Sequence, residues 1–305
     1  MVSYKRNRKK KYRRTRRKRW VQRGAASNTA LVFTIHGGTG YGPGFASVFN
    51  FLCRVYIHAK ETGQDFFIEH SPNWRYLYKN GWHDYFKTLK MYDPAIKYTE
   101  VKKYSHGQTG DIPEYTLNQY TDCVKEILVL NDDLEKRVQD FIASMSGKYK
   151  SIYIRRGDKT SGITKENEAI SISELLGMTD ISKDDKVFVQ TDDYKAVEEI
   201  KQILPPENVF TLTPPENNGA NTKIIGEWPP EKKKEHAEEL FISFMVCARA
   251  SRGWTDNRSN LGRLHKIYAP DTFILYPIDP KSQNIPGNTK IDPGWRTLVI
   301  LENAT

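Results

Sequence analysis

Short apolar, β-rich runs alternate along this chain with amphipathic stretches of helical period, and that alternation limits the possible folds more than any other feature. Leu31-Val-Phe-Thr-Ile-His36 is the first such run. It passes through the glycine-rich stretch Gly37–Gly44 into a segment, about Phe45 to Thr62, whose Phe45, Val48, Phe49, Leu52, Val55, Tyr56 and Ala59 fall on one helical face. Gly63 is placed to end that helix, and Asp65-Phe-Phe-Ile-Glu69 reads as a second strand. The pattern resumes with strands at Ile152–Ile154, Lys186–Asp193, Val209–Leu212 and Thr272–Tyr276. Helices are expected near Ile172–Leu176, Tyr194–Leu204, Glu231–Ala250 and Asn260–Tyr268. Between the two blocks, two helices near Leu117–Leu130 and Asp132–Met145 follow an irregular stretch over 92–118. Residues 213–230 and Ser251–Ser259 read as polar loops. Repeated β-α alternation implies mostly parallel sheets with helices on both faces. The expected fold is therefore α/β, with two Rossmann-like domains facing each other across a cleft.

A length of 305 residues accommodates both. The expected divisions are a basic arm over 1–27, an N-terminal α/β domain over 28–147, a C-terminal Rossmann-like domain over 148–280 and a tail over 281–305. The net charge of +10 belongs to the arm: residues 1–23 carry 13 lysines and arginines and no acid. The rest sets 34 basic residues against 37 acidic ones, so the folded part is mildly acidic. A like-charge block of this kind repels itself and is expected to be disordered. It offers a contact for a polyanion such as nucleic acid or an anionic membrane, or a nuclear-type address, or it only keeps the chain in solution. No apolar run reaches the roughly 18 residues of a membrane span, and no signal-peptide core follows the start. Cys53, Cys123 and Cys247 are scattered in apolar helical settings, which suits reduced core thiols and a cytoplasmic location. No CxxC, HExxH or other metal-ligand spacing appears.

The chemistry concentrates where strands end. Ser151-Ile-Tyr-Ile154 runs into Arg155, Arg156, Gly157, Asp158 and Lys159. Ligands of α/β sheets bind beyond the carboxyl ends of strands, and two guanidiniums there match phosphate oxygens. Asp192 and Asp193 end the next strand, where they either orient a site or, in part, cap the following helix. The glycine run holding Gly40 and Gly42 fits neither the dinucleotide nor the P-loop spacing, but leaves room for a backbone approach to phosphate. Trp74, Tyr76 and Trp82 either pack a polar loop onto the domain or present rings to an acceptor.

Taken in order, Gly40-Tyr-Gly42, Asn73-Trp-Arg-Tyr76 with Gly81-Trp82, Arg155-Arg-Gly-Asp-Lys159 and Thr191-Asp-Asp193 resemble the catalytic core of the α1,6-fucosyltransferase family. The resemblance covers about residues 30 to 275 and implies a GT-B fold. It further implies a metal-independent, inverting transfer of fucose from GDP-fucose to a glycan, with no cofactor beyond that donor. Carried over by position, Arg156, Asp158 and Lys159 would act in catalysis. The family's proton-relaying glutamate falls here on Ile163, which leaves Glu166 or Asp158 as the base. Donor contacts would come from Gly40, Gly42, Arg155, Arg156, Asp192, Asp193 and Ser259. Tyr153 stands where the family has a guanine-contacting histidine, and Glu239 is the candidate for its guanine-reading acid. Acceptor contacts would fall to Trp74, Tyr76 and Trp82. Two other readings stay open: a transferase of this fold using another GDP- or UDP-sugar, and a polyanion-binding protein whose transferase domain is only a scaffold.

Overall fold

The computed structural model describes residues 28–36, 43–157, 170–219, 222–276, 286–292 and 295. The basic arm therefore lies outside the described residues. A first sheet joins β1 (Thr29–Ile35), β2 (Asp65–His70) and β3 (Glu100–Tyr104) in the order β2-β1-β3, all parallel. The crossover from β1 to β2 is α1 (Phe45–Thr62), which spans the expected residues and ends at Gly63. Its buried face holds Phe45, Val48, Phe49, Leu52, Val55 and Ala59, as the 3.6-residue period demands. The stretch 92–118, expected to be irregular, supplies β3 and the two-residue β4 (Tyr115–Thr116). Strand β3 is an edge strand reading Glu-Val-Lys-Lys-Tyr, with too little apolar content to announce itself.

Two capped helices connect the sheets. Helix α2 (Leu117–Ile127) starts with a reciprocal capping box between Thr116 and Gln119. Helix α3 (Asp132–Ser144) is capped by Asn131 and carries Asp132, Asp133 and Glu135 in its first turn, where the helix dipole favours acids.

The second sheet comprises β5 (Lys150–Ile154), β6 (Val187–Thr191), β7 (Val209–Phe210), β8 (Arg252–Asp256) and β9 (Phe273–Tyr276) in the order β7-β6-β5-β8-β9, again all parallel. Helices α4 (Ile172–Gly177) and α5 (Tyr194–Ile203) cover one face, where Ile152, Ile154, Leu175, Val197 and Ile200 meet. A short helix, α6 (Thr222–Glu227), leads to α7 (Pro230–Ala248), which packs with α8 (Asn260–Tyr268) on the other face. Strand β8 corrects the expectation of a loop over Ser251–Ser259. It is the innermost partner of β5, with Gly253, Trp254, Thr255 and Asp256 buried. Its only large apolar residue is Trp254, so hydrophobic pattern alone could not reveal it.

The apolar core does not divide at residue 147. The Phe241 ring of α7 stands 4.7 Å from Phe45, 4.8 Å from Phe86 and 5.2 Å from Tyr85, centroid to centroid, and one cluster runs from α1 to α8. Part of the expected tail also returns. β10 (Lys290–Ile291) pairs antiparallel with β4, and Trp295 is buried against Tyr120.

Candidate active site

The chain leaves β5 for β6 and β7 on one side, then crosses back to β8 and β9 on the other. The sheet's topological switch point therefore lies between the carboxyl ends of β5 and β8, where parallel sheets open a crevice for ligands. Arg155, Arg156 and Gly157 leave β5 there, and Asn257, Arg258 and Ser259 leave β8 opposite them.

Each arginine is held by a carboxylate from a neighbouring element. Arg155 pairs through Nη1 with Asp192, at the end of β6. Asp192 also accepts the backbone N–H of Arg156 at 2.8 Å, so one carboxylate fixes both residues. Arg156 forks onto Glu199 of α5, Nη1 and Nη2 standing 2.7 and 2.8 Å from Oε1 and Oε2. That fork draws the Glu199 carboxyl below its ordinary range. Across the crevice, Arg258 donates through Nε and Nη2 to the buried Asp256 at 2.9 and 2.8 Å. Guanidiniums held by forked, charge-assisted bonds are preorganised before any anion arrives.

Gly157 turns with φ +58°, and the segment 214–219 folds directly over it. Gly219, at φ +104°, comes so close that a methyl group built on it would stand 2.5 Å from the Gly157 Cα. The segment is pinned to β6 by the Tyr194 N–H, which donates to the Asn217 carbonyl at 2.8 Å, and by a bridge between Asp193 and Asn218. The expected site acid Asp193 is the N-cap of α5, its carboxylate accepting the Lys195 N–H at 3.1 Å. Two hydrogen-bond acceptors of the sequence pattern thus serve different ends: Asp192 organises the arginines and Asp193 starts a helix.

Tyr153 lies beneath the crevice. Strand alternation sends Ile152 and Ile154 to one face of the sheet and Tyr153 to the other, under α8, with 3% of its surface exposed. Its hydroxyl meets Ser259 Oγ at 3.0 Å, and its carbonyl accepts from the buried Tyr276 hydroxyl. Burial pushes its phenol up to about 12. The expectation that Tyr153 faces a donor base is corrected accordingly: it supports the floor of the crevice. Ser259 is the N-cap of α8, yet its side chain makes no hydrogen bond to that helix's first turn. Below Tyr153, His265 is wholly buried, its Nε2 donating to Gln190 Oε1 at 2.7 Å and its ring stacked on Phe244 at 4.4 Å. Burial pushes it down to about 3, so it stays neutral.

Trp74, Tyr76 and Trp82 also require correction as sugar-stacking rings. They are 4%, 5% and 1% exposed and pack among Phe45, Phe49, Phe86 and Phe241. The polar sequence around them is the outer face of a loop whose rings turn inward. Burial raises the Tyr76 phenol, and the guanidiniums of Arg75 and Arg155 oppose that rise. Gly40, Gly42, Asp158, Lys159 and Glu166 lie outside the described residues. Glu239 stands on α7, partly buried. Burial and the facing Glu216 carboxylate push it up to about 7. Among the described residues no group of three or more His, Cys, Asp or Glu could hold a metal ion, and no helix is long and apolar enough to cross a membrane.

Sequence reasoning missed Glu199, Glu216, Asp256 and Arg258. Glu199 could have been sought six residues past the cap of α5. Asp256 and Arg258 were hidden by the unrecognised β8.

No protein-family profile matches the sequence, and no curated protein matches it. Solved structures do. A selenomethionine form of the fucosyltransferase NodZ from Bradyrhizobium superposes with TM-score 0.53 at 13% identity, covering 86% of this chain and 98% of that one. NodZ α1,6-fucosyltransferase soaked with GDP-fucose gives TM-score 0.51 at 13% identity over the same shares. The fold is thus fucosyltransferase-like: mixed α/β with parallel sheets.

Proposed function

We propose that this chain is a glycosyltransferase that moves a sugar, with fucose from GDP-fucose the favoured donor, onto a hydroxyl of a glycan. One observation carries the reading. An arginine pair held by Asp192 and Glu199 sits at the switch point of a parallel sheet, in a fold like that of enzymes whose structures include a GDP-fucose soak. Breaking the bond between the anomeric carbon and the diphosphate leaves negative charge on the β-phosphate. Fixed cations meet that charge without reorganising, and one such contact is worth roughly 3–4 kcal/mol of barrier by analogy with oxyanion donors. In this reading Arg155, at the end of β5, is the contact to the phosphates, and Arg156, forked onto Glu199, braces it. The N-terminus of α8, left uncapped by Ser259, and the backbone at Gly157 supply N–H donors and a favourable dipole. Asp158, Lys159, Gly40 and Gly42 complete the donor side in this reading, and no metal is required. The arrangement suits a division into an acceptor-side half, roughly 28–147, and a donor-side half, roughly 148–280. Residues 1–23 would attach the enzyme to a polyanion.

A donor panel tests this. GDP-fucose, GDP-mannose, UDP-glucose and UDP-N-acetylglucosamine are offered with and without EDTA, and nucleotide release is scored. Release from GDP-fucose, indifferent to EDTA and lost in Arg155→Ala, is expected. Release from another donor would replace the fucose assignment, and no release or binding of any nucleotide sugar would remove the enzyme reading.

A further inference from the structure

The carboxyl edges of the two sheets meet at one cavity. Helix α8 leaves β8, which borders the switch point of the second sheet, and α1 leaves β1. The order β2-β1-β3 puts the switch point of the first sheet at that same end of β1, beside β3. Phe45 opens α1, and Leu261 is the second residue of α8. Both line a cavity of about 10 Å³, together with Leu240, Phe241, Phe244 and Met245 of α7. That is room for one group the size of a water or a methyl. Among the described residues no polar atom lines it, and apolar cavities of this kind stay dry.

Leu240 and Leu261 are half-buried and the other lining residues are buried, so the cavity opens between these two leucines. The mouth is tied to the arginine pair by a short run of contacts. Leu261 stands two residues past Ser259, whose Oγ meets the Tyr153 hydroxyl at 3.0 Å. Tyr153, on β5, stands two residues before Arg155. One hydrogen bond, with two residues on either side of it, therefore separates the mouth from the phosphate contact. In a nucleotide sugar the hexose is bonded directly to the diphosphate, and the nucleobase lies a ribose away on the other side. The part of the donor within reach of this mouth is the hexose.

The geometry points to this cavity as the seat of the C6 methyl of a 6-deoxyhexose donor, with Leu240 and Leu261 selecting that methyl over a hydroxymethyl group. The role rests on the transfer reading above and deepens it, since it gives a physical reason for a deoxy sugar. A methyl fills the space and leaves the ring hydroxyls outside, in the crevice. A C6 hydroxyl pushed into the same space gives up its hydrogen bonds to water and finds no partner on the apolar walls. An apolar pocket rejects an isostere that adds a hydroxyl by about 10²-fold at most, which sets the scale of the selectivity. The two leucines belong to different helices, so the mouth forms only where α7 and α8 pack together.

The test compares GDP-L-fucose with GDP-L-galactose, which differs from it only by a hydroxyl on C6. Nucleotide release gives kcat/KM for each, and calorimetry gives GDP affinity on the same proteins. The wild type should favour GDP-L-fucose by roughly 10- to 100-fold. Leu261→Asn and Leu240→Asn each place an amide at the mouth, on separate helices and at half-buried positions that the fold tolerates. Either should bring the two donors within about threefold of each other while GDP affinity stays within about threefold of the wild type. Leu261→Phe, which fills the mouth, should lower kcat/KM for GDP-L-fucose roughly 10-fold and leave GDP affinity in place. A merely structural role would shift the urea midpoint and GDP affinity and leave the donor ratio alone. An active wild type with no preference between the two donors overturns the proposal alone. So do folded asparagine variants that keep the wild-type ratio, or that raise only the KM of the acceptor, which would give the cavity to an apolar part of that molecule. Release from GDP-mannose and not from GDP-L-fucose replaces the donor and overturns the proposal with it. A wild type that binds GDP and releases it from no nucleotide sugar overturns the transfer reading and this one together.

Discussion

Arg156→Ala should weaken the fold more than it weakens GDP binding, whereas Arg155→Ala should weaken both, because its partner Asp192 is itself largely buried. The Arg156 guanidinium is 11% exposed and both its terminal nitrogens are spent on Glu199, whose side chain is 43% exposed. A fully buried pair broken on one side costs about 3–5 kcal/mol and an exposed pair at most about 1. This pair is buried at one end and half-solvated at the other, and Glu199 regains water when its partner goes, so about 1–2 kcal/mol is expected. Arg155→Ala removes a charge-assisted contact to the diphosphate, about 1.5–3 kcal/mol, or roughly 10- to 150-fold in Kd. Urea denaturation and calorimetric GDP titration of both variants separate the effects. The pH dependence gives an internal control. Glu199 is lowered in the fold, chiefly by its hydrogen bonds from Arg156, so its stabilisation is present above the ordinary carboxyl value and fades as pH falls through the lowered one. The stability gap between wild type and Arg156→Ala should therefore narrow in acid. A larger loss of GDP affinity in Arg156→Ala than in Arg155→Ala, with stability unchanged, would refute the division of labour: Glu199 would then have to release Arg156 to the phosphates.

Gly219→Ala should cost about 1–3 kcal/mol in denaturation and should also weaken GDP binding, since φ +104° and a Gly157 Cα 2.5 Å from where the methyl would stand leave no room for it; a neutral result would mean the segment does not rest on the turn at Gly157. Phe241→Ala should cost about 3–5 kcal/mol and leave a single unfolding transition, because its ring joins Phe45, Tyr85 and Phe86 to the second sheet. Two separated transitions in differential scanning calorimetry would show instead that the halves unfold independently.

Nearly all the helices were legible before the structure, because an amphipathic helix declares itself through its own period: α1 and α8 begin and end where the pattern places them. The buried strands β1, β5 and β6 were legible as apolar runs, and with them the arginine pair at the end of β5 and the aspartates at the end of β6. Strand β8 was not, since its burial comes from its place between β5 and β9 rather than from its own residues.

By itself the sequence determined the α/β class, the parallel order implied by strand-helix alternation, and which strand end carries the paired guanidiniums. These follow from local periodicity and from residue chemistry confined to a few neighbouring positions. Only the tertiary structure decided what those residues do to one another. Asp192 and Glu199 divide the two arginines between them, the rings of Trp74, Tyr76 and Trp82 turn into the core, and Tyr153 goes beneath the crevice. Each depends on groups 20 to 100 or more residues apart meeting in space, where burial and Coulomb interactions fall off over a few ångströms, a distance that sequence separation does not encode.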